Sequence, residues 1–270
     1  MKRLLFIAVV FNTVKETRDL CHSLVRQDPG DYELALVLVD NSDTESGRAG
    51  VDALAADFAF AEVLRPERNL GYFPAISRAF QRFARGYDYV IAGNNDLVYD
   101  DDFCATLVAQ SYKEDIMVIC PDVVTANGVH QNPHHKHRLS TLEKAYFDLY
   151  FLGYPIAWAL TQVRRLFSRR LSPTAEAGVE PAQIIDQGVG AVYVFVPHFL
   201  EKIDRALFFP GFLYGEEACL SWQIRSVGGK TLFDPTLKVW HAESATLGQI
   251  SGRGTYGFAR ESYWKFRNKL

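Results

Sequence analysis

Three clusters of Asp and Asn each close an apolar run, where their oxygens could bind a cation or accept hydrogen bonds. Phe11-Asn12-Thr13 ends the first run, Asp40-Asn41-Ser42-Asp43 follows the second, and Asn94-Asn95-Asp96 follows the fourth. Asp40 or Asp43 could accept a hydrogen bond from a base N–H or a ribose hydroxyl. Asp96 with Asn94 offers the hard oxygens that Mg²⁺ or Mn²⁺ prefers, with phosphate oxygens and water completing the shell. Such residues also form turns after strands, but three clusters at successive run ends point to one shared ligand. Farther on, Glu216-Glu217 opens a helical stretch. Paired acids there either complement the helix dipole or provide a carboxylate that takes a proton from an attacking hydroxyl. His241, after Val239-Trp240, is either a metal or phosphate ligand or a hydrogen-bonded histidine at a strand end.

The elements that must position these groups read as a mostly parallel α/β sheet. Continuous apolar runs predict buried strands at 4–11, 34–39, 61–64, 87–92 and 116–120, and later at 191–197 and 230–233. Thr13-x-x-Glu16 has capping-box spacing and predicts a helix to about 27. Pro74 suits the first turn of a helix reaching about 85, and a further helix runs from about 216 to 227 before Gly228-Gly229. In such sheets ligands bind beyond the carboxyl ends of the strands, where the three clusters lie.

Composition bounds the rest. The chain has 270 residues, 48% of them hydrophobic, enough to bury a sizeable core, and its formal charge of −3 excludes a uniformly basic nucleic-acid binder. Cys21, Cys104, Cys120 and Cys219 form no C-x-x-C pair, which fits a reducing compartment. The run after Lys2-Arg3 lacks a small-residue cleavage site and reads as a first strand. The longest uncharged apolar stretch, 149–163, is shorter than the ~20 residues that span a bilayer.

Taken in order, Val9-Val10-Phe11-Asn12, Val39-Asp40-Asn41-Ser42, Asn69-Leu70-Gly71-Tyr72, Asn94-Asn95-Asp96, the stretch 212–225 and the stretch 235–241 resemble the inverting GT-A glycosyltransferases of family 2, which include bacterial rhamnosyltransferases of cell-surface polysaccharide synthesis. The resemblance implies a GT-A fold and transfer of a sugar from a nucleotide-sugar donor, dTDP-rhamnose or a UDP-sugar, to a glycan or lipid-linked acceptor. It implies that Phe11, Asn12 and Asp40-Asn41-Ser42 meet the nucleotide, and that Asn69 and Gly71 form the loop near ribose and diphosphate. Asn94-Asn95-Asp96 matches the D-x-D position, with Asp96 and His241 near a divalent cation, Mn or Mg. Glu217 matches the catalytic base, with Glu216 beside it. Four departures stand out: Asn94 replaces the first Asp, Glu217 is one methylene longer than the usual base, Cys219 sits where another acid is common, and Ser77 stands where Asn is common. Two other readings remain: a sugar-phosphate nucleotidyltransferase, which should show an N-terminal Gly-rich loop that 9–15 lacks, and a non-catalytic carbohydrate-binding protein on a decayed transferase fold.

The expected organisation is a nucleotide-sugar-binding part at 1–125, a helical insertion at 127–181, an acceptor and catalytic part at 182–248 and a basic aromatic segment at 249–270. Residues 138–170 carry six basic residues against two acids, and 249–270 carry five against one, both interleaved with aromatics. This composition suits peripheral contact with an anionic membrane, placing the protein in the cytoplasm at the inner face of the plasma membrane. In 138–170 it suits equally a helical hairpin packed on its own domain or on a second subunit of a homodimer, and in 249–270 it suits a mobile lid over the donor as well as a second membrane contact. His130, His134, His135 and His137 read as a solvated loop rather than a metal site or acceptor contact.

Overall fold

The first apolar run is β1 (Lys2–Val10), nearly continuous in burial because it lies inside a sheet covered on both faces. A computed structural model describes residues 1–168, 179–242 and 252–270. In the first half, α1 (Val14–Val25), β2 (Tyr32–Asp40), α2 (Glu45–Ala56), β3 (Ala61–Leu64), α3 (Phe73–Phe83), β4 (Tyr89–Asn94), β5 (Leu97–Tyr99), α4 (Phe103–Ala109) and β6 (Ile116–Thr125) follow. The second half adds α5 (Thr141–Tyr150), α6 (Tyr154–Ser168), β7 (Gln183–Ile185), β8 (Val192–Phe195), α7 (Pro197–Lys202), α8 (Glu216–Ser226), β9 (Lys230–His241) and α9 (Gly252–Phe266).

The strands form one nine-stranded sheet in the order β3-β2-β1-β4-β8-β6-β9-β5, with β7 pairing β9. β1 to β4 run parallel, and β6 is parallel to β9, while β8 lies antiparallel between β4 and β6. Register then determines what meets at the working edge. Val10 pairs with Asp40, Val9 with Asn94 and Val39 with Leu64, so the Asp and Asn clusters emerge side by side.

The Thr13 capping box does not form. The Thr13 side chain makes no cap bond, because its hydroxyl accepts from Asn95 Nδ2 at 2.7 Å instead. A capping box does form at Ser140 and Glu143, opening α5. The long helical stretch expected in the insertion is two helices, parted around Gly153, with Pro155 in the first turn of the second. Arg169, Arg170, the Ser/Pro/Gly-rich connection through 178 and the start of the C-terminal segment at 249 lie outside the described residues.

The aromatic insertion packs on its own chain. Phe151, Tyr256, Tyr263 and Phe266 are buried with Cys219 in a second apolar cluster, partly covered by Phe147, Tyr150 and Tyr154. Phe151 stacks on Tyr263 with centroids 4.6 Å apart and on Tyr256 at 5.9 Å. Thus α5 and α9 bury against one another the rings that composition alone left between membrane, own domain and partner subunit. Among the described residues, no helix is long and apolar enough to cross a membrane. Truncation of Phe151 to Ala removes a ring from the middle of this cluster and should cost about 3 kcal/mol or more, read as a lower urea midpoint with unchanged sheet circular dichroism. A loss below about 1 kcal/mol would mean that the cluster contributes little.

Candidate active site

Sheet register brings Asp96 and His241 together across 145 positions. β5 pairs antiparallel with β9 so that Leu97 faces His241, and the residue before Leu97 is Asp96. His241 Nε2 lies 3.3 Å from Asp96 Oδ1, and the Ala242 N–H donates to the Asp96 carbonyl at 3.0 Å. On the other side of the ring, Nδ1 is 2.9 Å from Gln131 Oε1. The amide oxygen only accepts, so Nδ1 carries the proton and Nε2 is turned toward the carboxylate. Gln131 lies within the stretch read as a solvated loop, and nothing in its sequence neighbourhood marks it.

The paired acids sit at the first turn of α8. Glu216 is 6% exposed and Glu217 is partly buried. A Cβ at Gly190 would lie 2.6 Å from Glu217 Oε1, so only glycine leaves room for the carboxylate there. Burial pushes the Glu216 carboxyl up to about 8, with repulsion from Glu217 adding to it. Burial also raises Glu217, opposed by its own amide, the Gly190 N–H and His135. Near neutrality the two carboxyls together therefore retain a proton that separated ones would release.

Both ends of this arrangement meet at the entry to β8. The Ala191 carbonyl accepts from the Asn94 N–H at 2.8 Å and from the Tyr72 hydroxyl at 3.3 Å. Burial, with Glu216, Glu217 and Asp96 around it, holds the Tyr72 hydroxyl well above its ordinary pKa. Tyr72 is thus a neutral donor in the middle of the three acids.

The other residues singled out from the sequence divide by what they touch. Asn12 has φ 57°, donates through its backbone N–H to Ser42 Oγ at 3.0 Å and through Nδ2 to Asp43 at 2.7 Å. Asp40 is 2% exposed and already engaged: Arg65 Nε donates to it at 2.8 Å and the Ser42 N–H at 3.0 Å. Arg65 also pairs with Asp52. It was not singled out from the sequence, yet the register that pairs Val39 with Leu64 puts it beside Asp40. Asn41 Nδ2 donates to the Gly71 carbonyl at 2.9 Å, tying β2 to the 69–71 loop, where Asn69 Oδ1 accepts from the Gly71 N–H at 2.8 Å. Asn95 turns into the fold, donating to Thr13 and Thr17 of the α1 region at 2.7 Å each. Phe11, half-buried, connects β1 to Asn12. Asn41 and Asn95 therefore hold the edge together with their amides.

The histidine segment is not simply a solvated loop. His130 Nδ1 lies 2.8 Å from Asp122, and the His135 N–H donates to the Gln187 carbonyl at 3.0 Å. His134 and His137 remain exposed. Ser77 Oγ accepts from the Leu207 N–H at 3.1 Å, a task inside the fold. Cys219 faces the second cluster, where burial pushes its thiol up to about 12.

Asp96 and His241 offer a carboxylate and an imidazole, a donor pair that suits Mn²⁺ or Mg²⁺. Among the described residues no group of three or more side chains could enclose a metal. The fit is to an open site whose remaining ligands come from a phosphate-bearing molecule and water. The electrostatics agree, since a diphosphate approaching Asp96, Glu216 and Glu217 meets carboxylates and needs a cation between.

The family model described as glycosyl transferase family 2 matches residues 6–173. No curated protein sequence matches the chain. Similar solved structures include GalNAc-T7 with UDP, GalNAc and Mn²⁺, at 19% identity and TM-score 0.60, over 99% of this chain and 50% of that one. A mannosyltransferase from Pyrobaculum calidifontis with GDP-Man and Mn²⁺ aligns at 15% identity and TM-score 0.55, over 89% of this chain and 56% of that one. Residues 1–349 of TarS from S. aureus in complex with UDP-GlcNAc align at 15% and 0.54, over 93% and 61%. The chain spans between half and three-fifths of the length of these structures.

Because the folded-state pKa of Glu216 lies above its unfolded value of 4.5, the folded chain binds the extra proton and stability falls as pH rises from about 4.5 through 8. Glu216→Gln should remove that loss. Its thermal midpoint should exceed the native one at pH 8, by roughly 2–4 °C for each kcal/mol recovered, with the gap closing toward pH 5. A gap of equal size at both pH values would contradict the buried-proton assignment.

Proposed function

The chain belongs to glycosyl transferase family 2, and we propose that it transfers a sugar from a nucleotide-sugar donor to a hydroxyl of a glycan or lipid-linked acceptor, with inversion at the anomeric carbon. The observation that carries this reading is Glu217, a carboxylate seated against Gly190 beside the Asn94 end of β4, with Glu216 next to it in the first turn of α8.

Glu217 takes the proton of the acceptor hydroxyl as that oxygen bonds to the anomeric carbon. The bond from that carbon to the diphosphate breaks on the opposite face, and its electron pair leaves with the diphosphate. The proton that the Glu216–Glu217 pair retains keeps two full charges from standing side by side. Asp96 and His241 would hold the divalent cation, which supplies positive charge against the leaving diphosphate. Asn12, Asp40, Asn41, Ser42, Asn69 and Gly71 shape the nucleotide side, with Arg65 fixing Asp40.

The nucleoside diphosphates named with the similar structures, UDP and GDP, support a donor of that class. The sequence motifs favour dTDP-rhamnose or a UDP-sugar. For the acceptor, we propose a peripheral position at the inner face of the plasma membrane. Leu149, Leu152, Ile156 and Trp158, on α5, α6 and the turn between them, are exposed apolar groups, which supports that position.

Two measurements test this. Glu217→Gln should lower nucleoside diphosphate release in the presence of acceptor by about 10²–10⁴-fold while leaving nucleotide binding intact, and native turnover by this variant would exclude Glu217 as the base. Mn²⁺ together with UDP, GDP or dTDP should raise the melting temperature of the native protein and not that of Asp96→Asn. An equal rise in both would remove Asp96 from the cation site.

A further inference from the structure

Phe212 has an exposed ring lying against the loop assigned to the donor, on the segment that leads into the acids. It is 38% exposed. A Cβ at Gly71, whose φ is 82°, would fall 2.4 Å from the Phe212 carbonyl oxygen and 3.1 Å from its ring, so the ring lies against the 69–71 loop. The acids begin four residues later. Phe258 of α9 flanks the ring with centroids 5.7 Å apart, inclined at 44°.

The segment carrying this ring is anchored from α9. Lys265 Nζ donates to the Pro210 carbonyl at 3.1 Å, and Ser262 Oγ donates to the Leu213 carbonyl at 3.0 Å. The nearby Phe208, also exposed, differs in being covered: Lys269 lies 4.8 Å over its ring and Trp222 is 5.5 Å away.

We propose that Phe212 and Phe258 form the acceptor platform, on which a neutral saccharide residue stacks the C–H face of its ring while one hydroxyl reaches Glu217. This rests on the glycosyltransferase reading above. The position selects the occupant, because the attacking hydroxyl must come within hydrogen-bond reach of the base: the Phe212 ring lies against Gly71, next to Tyr72, and the Tyr72 hydroxyl bonds the Ala191 carbonyl beside Gly190, where Glu217 is seated. Charge selects its chemistry. Asp96 and the Glu216–Glu217 pair, which stays negative with one proton retained, repel an anionic group, while Lys265 is already held by Glu261 at 2.6 Å. A rigid aromatic face with an electron-rich centre suits the polarised C–H bonds of a sugar.

The test uses the full-length protein with Mn²⁺ and UDP, GDP or dTDP in turn, and a panel of methyl hexosides, deoxyhexosides and N-acetylhexosaminides observed by saturation-transfer NMR. The native protein should transfer saturation to sugar C–H protons of at least one glycoside. Phe212→Leu keeps apolar volume without the ring and should weaken that binding about ten-fold, as should Phe258→Leu, whereas Phe212→Trp should retain it. The melting-temperature rise with Mn²⁺ and nucleotide should be unchanged in all three. Glycoside binding that is absent from the native protein, or equal in native and Phe212→Leu, overturns the platform. Loss of the nucleotide response in the native protein would instead overturn the glycosyltransferase reading. Binding of decyl phosphate, in place of the glycosides, with the same dependence on Phe212 would assign the rings to a lipid and overturn the saccharide.

Discussion

The peptide between Gly190 and Ala191 is the constraint on which the site depends. β8 runs against its neighbours, so it begins where β4 ends. Its first backbone groups therefore stand at the edge where the parallel strands deliver their polar residues. Glu217 lies against Gly190, while Asn94 and Tyr72 share the Ala191 carbonyl. An all-parallel sheet would leave a strand start at the opposite end. Two buried carboxylates can be tolerated here because backbone donors meet them and one retains its proton.

The insertion and α9 act on the same site from behind. Cys219 occupies a position where an acid is common in the family, but here it is packed among Phe151, Tyr263 and Phe266. Burial there penalises a charged group, with Lys269 acting the other way, which suits a thiol better than a carboxylate. Several basic residues of these segments are engaged by their own chain. Arg138 and Lys144 donate to the Leu270 carbonyl, Arg260 to that of Phe151, and Arg267 pairs with Asp148. What resembles a membrane-seeking composition is, for much of its charge, the fastening between two stretches of one chain.

The strand framework was legible because buried parallel strands are continuous apolar runs, and β3 falls at the predicted residues. β5 and α4 escaped, the first being three residues and the second seven, too short for periodicity to register. α2 contains Gly47 and Gly50, which weaken a helical reading. The positions of Asp96, Glu217 and His241 were legible from their places after runs and at a helix start. Roles within the clusters were not, because a side chain's neighbour is set by tertiary register. Thus Asn95 takes the hydroxyl expected to cap α1, and Arg65 and Gln131, unmarked in their own segments, support Asp40 and His241.

The grip of α9 on α5 and the pairing of β9 with β5 also order events in time. Tyr263 reaches back 115 residues to Asp148, and β9 reaches back 144 to β5 at His241 and Leu97, whereas β1 and β2 pair residues 30 apart. Long loops close late because their entropy is lost before any contact rewards it. The parallel strands of the first half can thus pair while Asp96 still lacks His241 and the segment leading to the acids still lacks its backing. The protein becomes chemically competent only at the end of its folding.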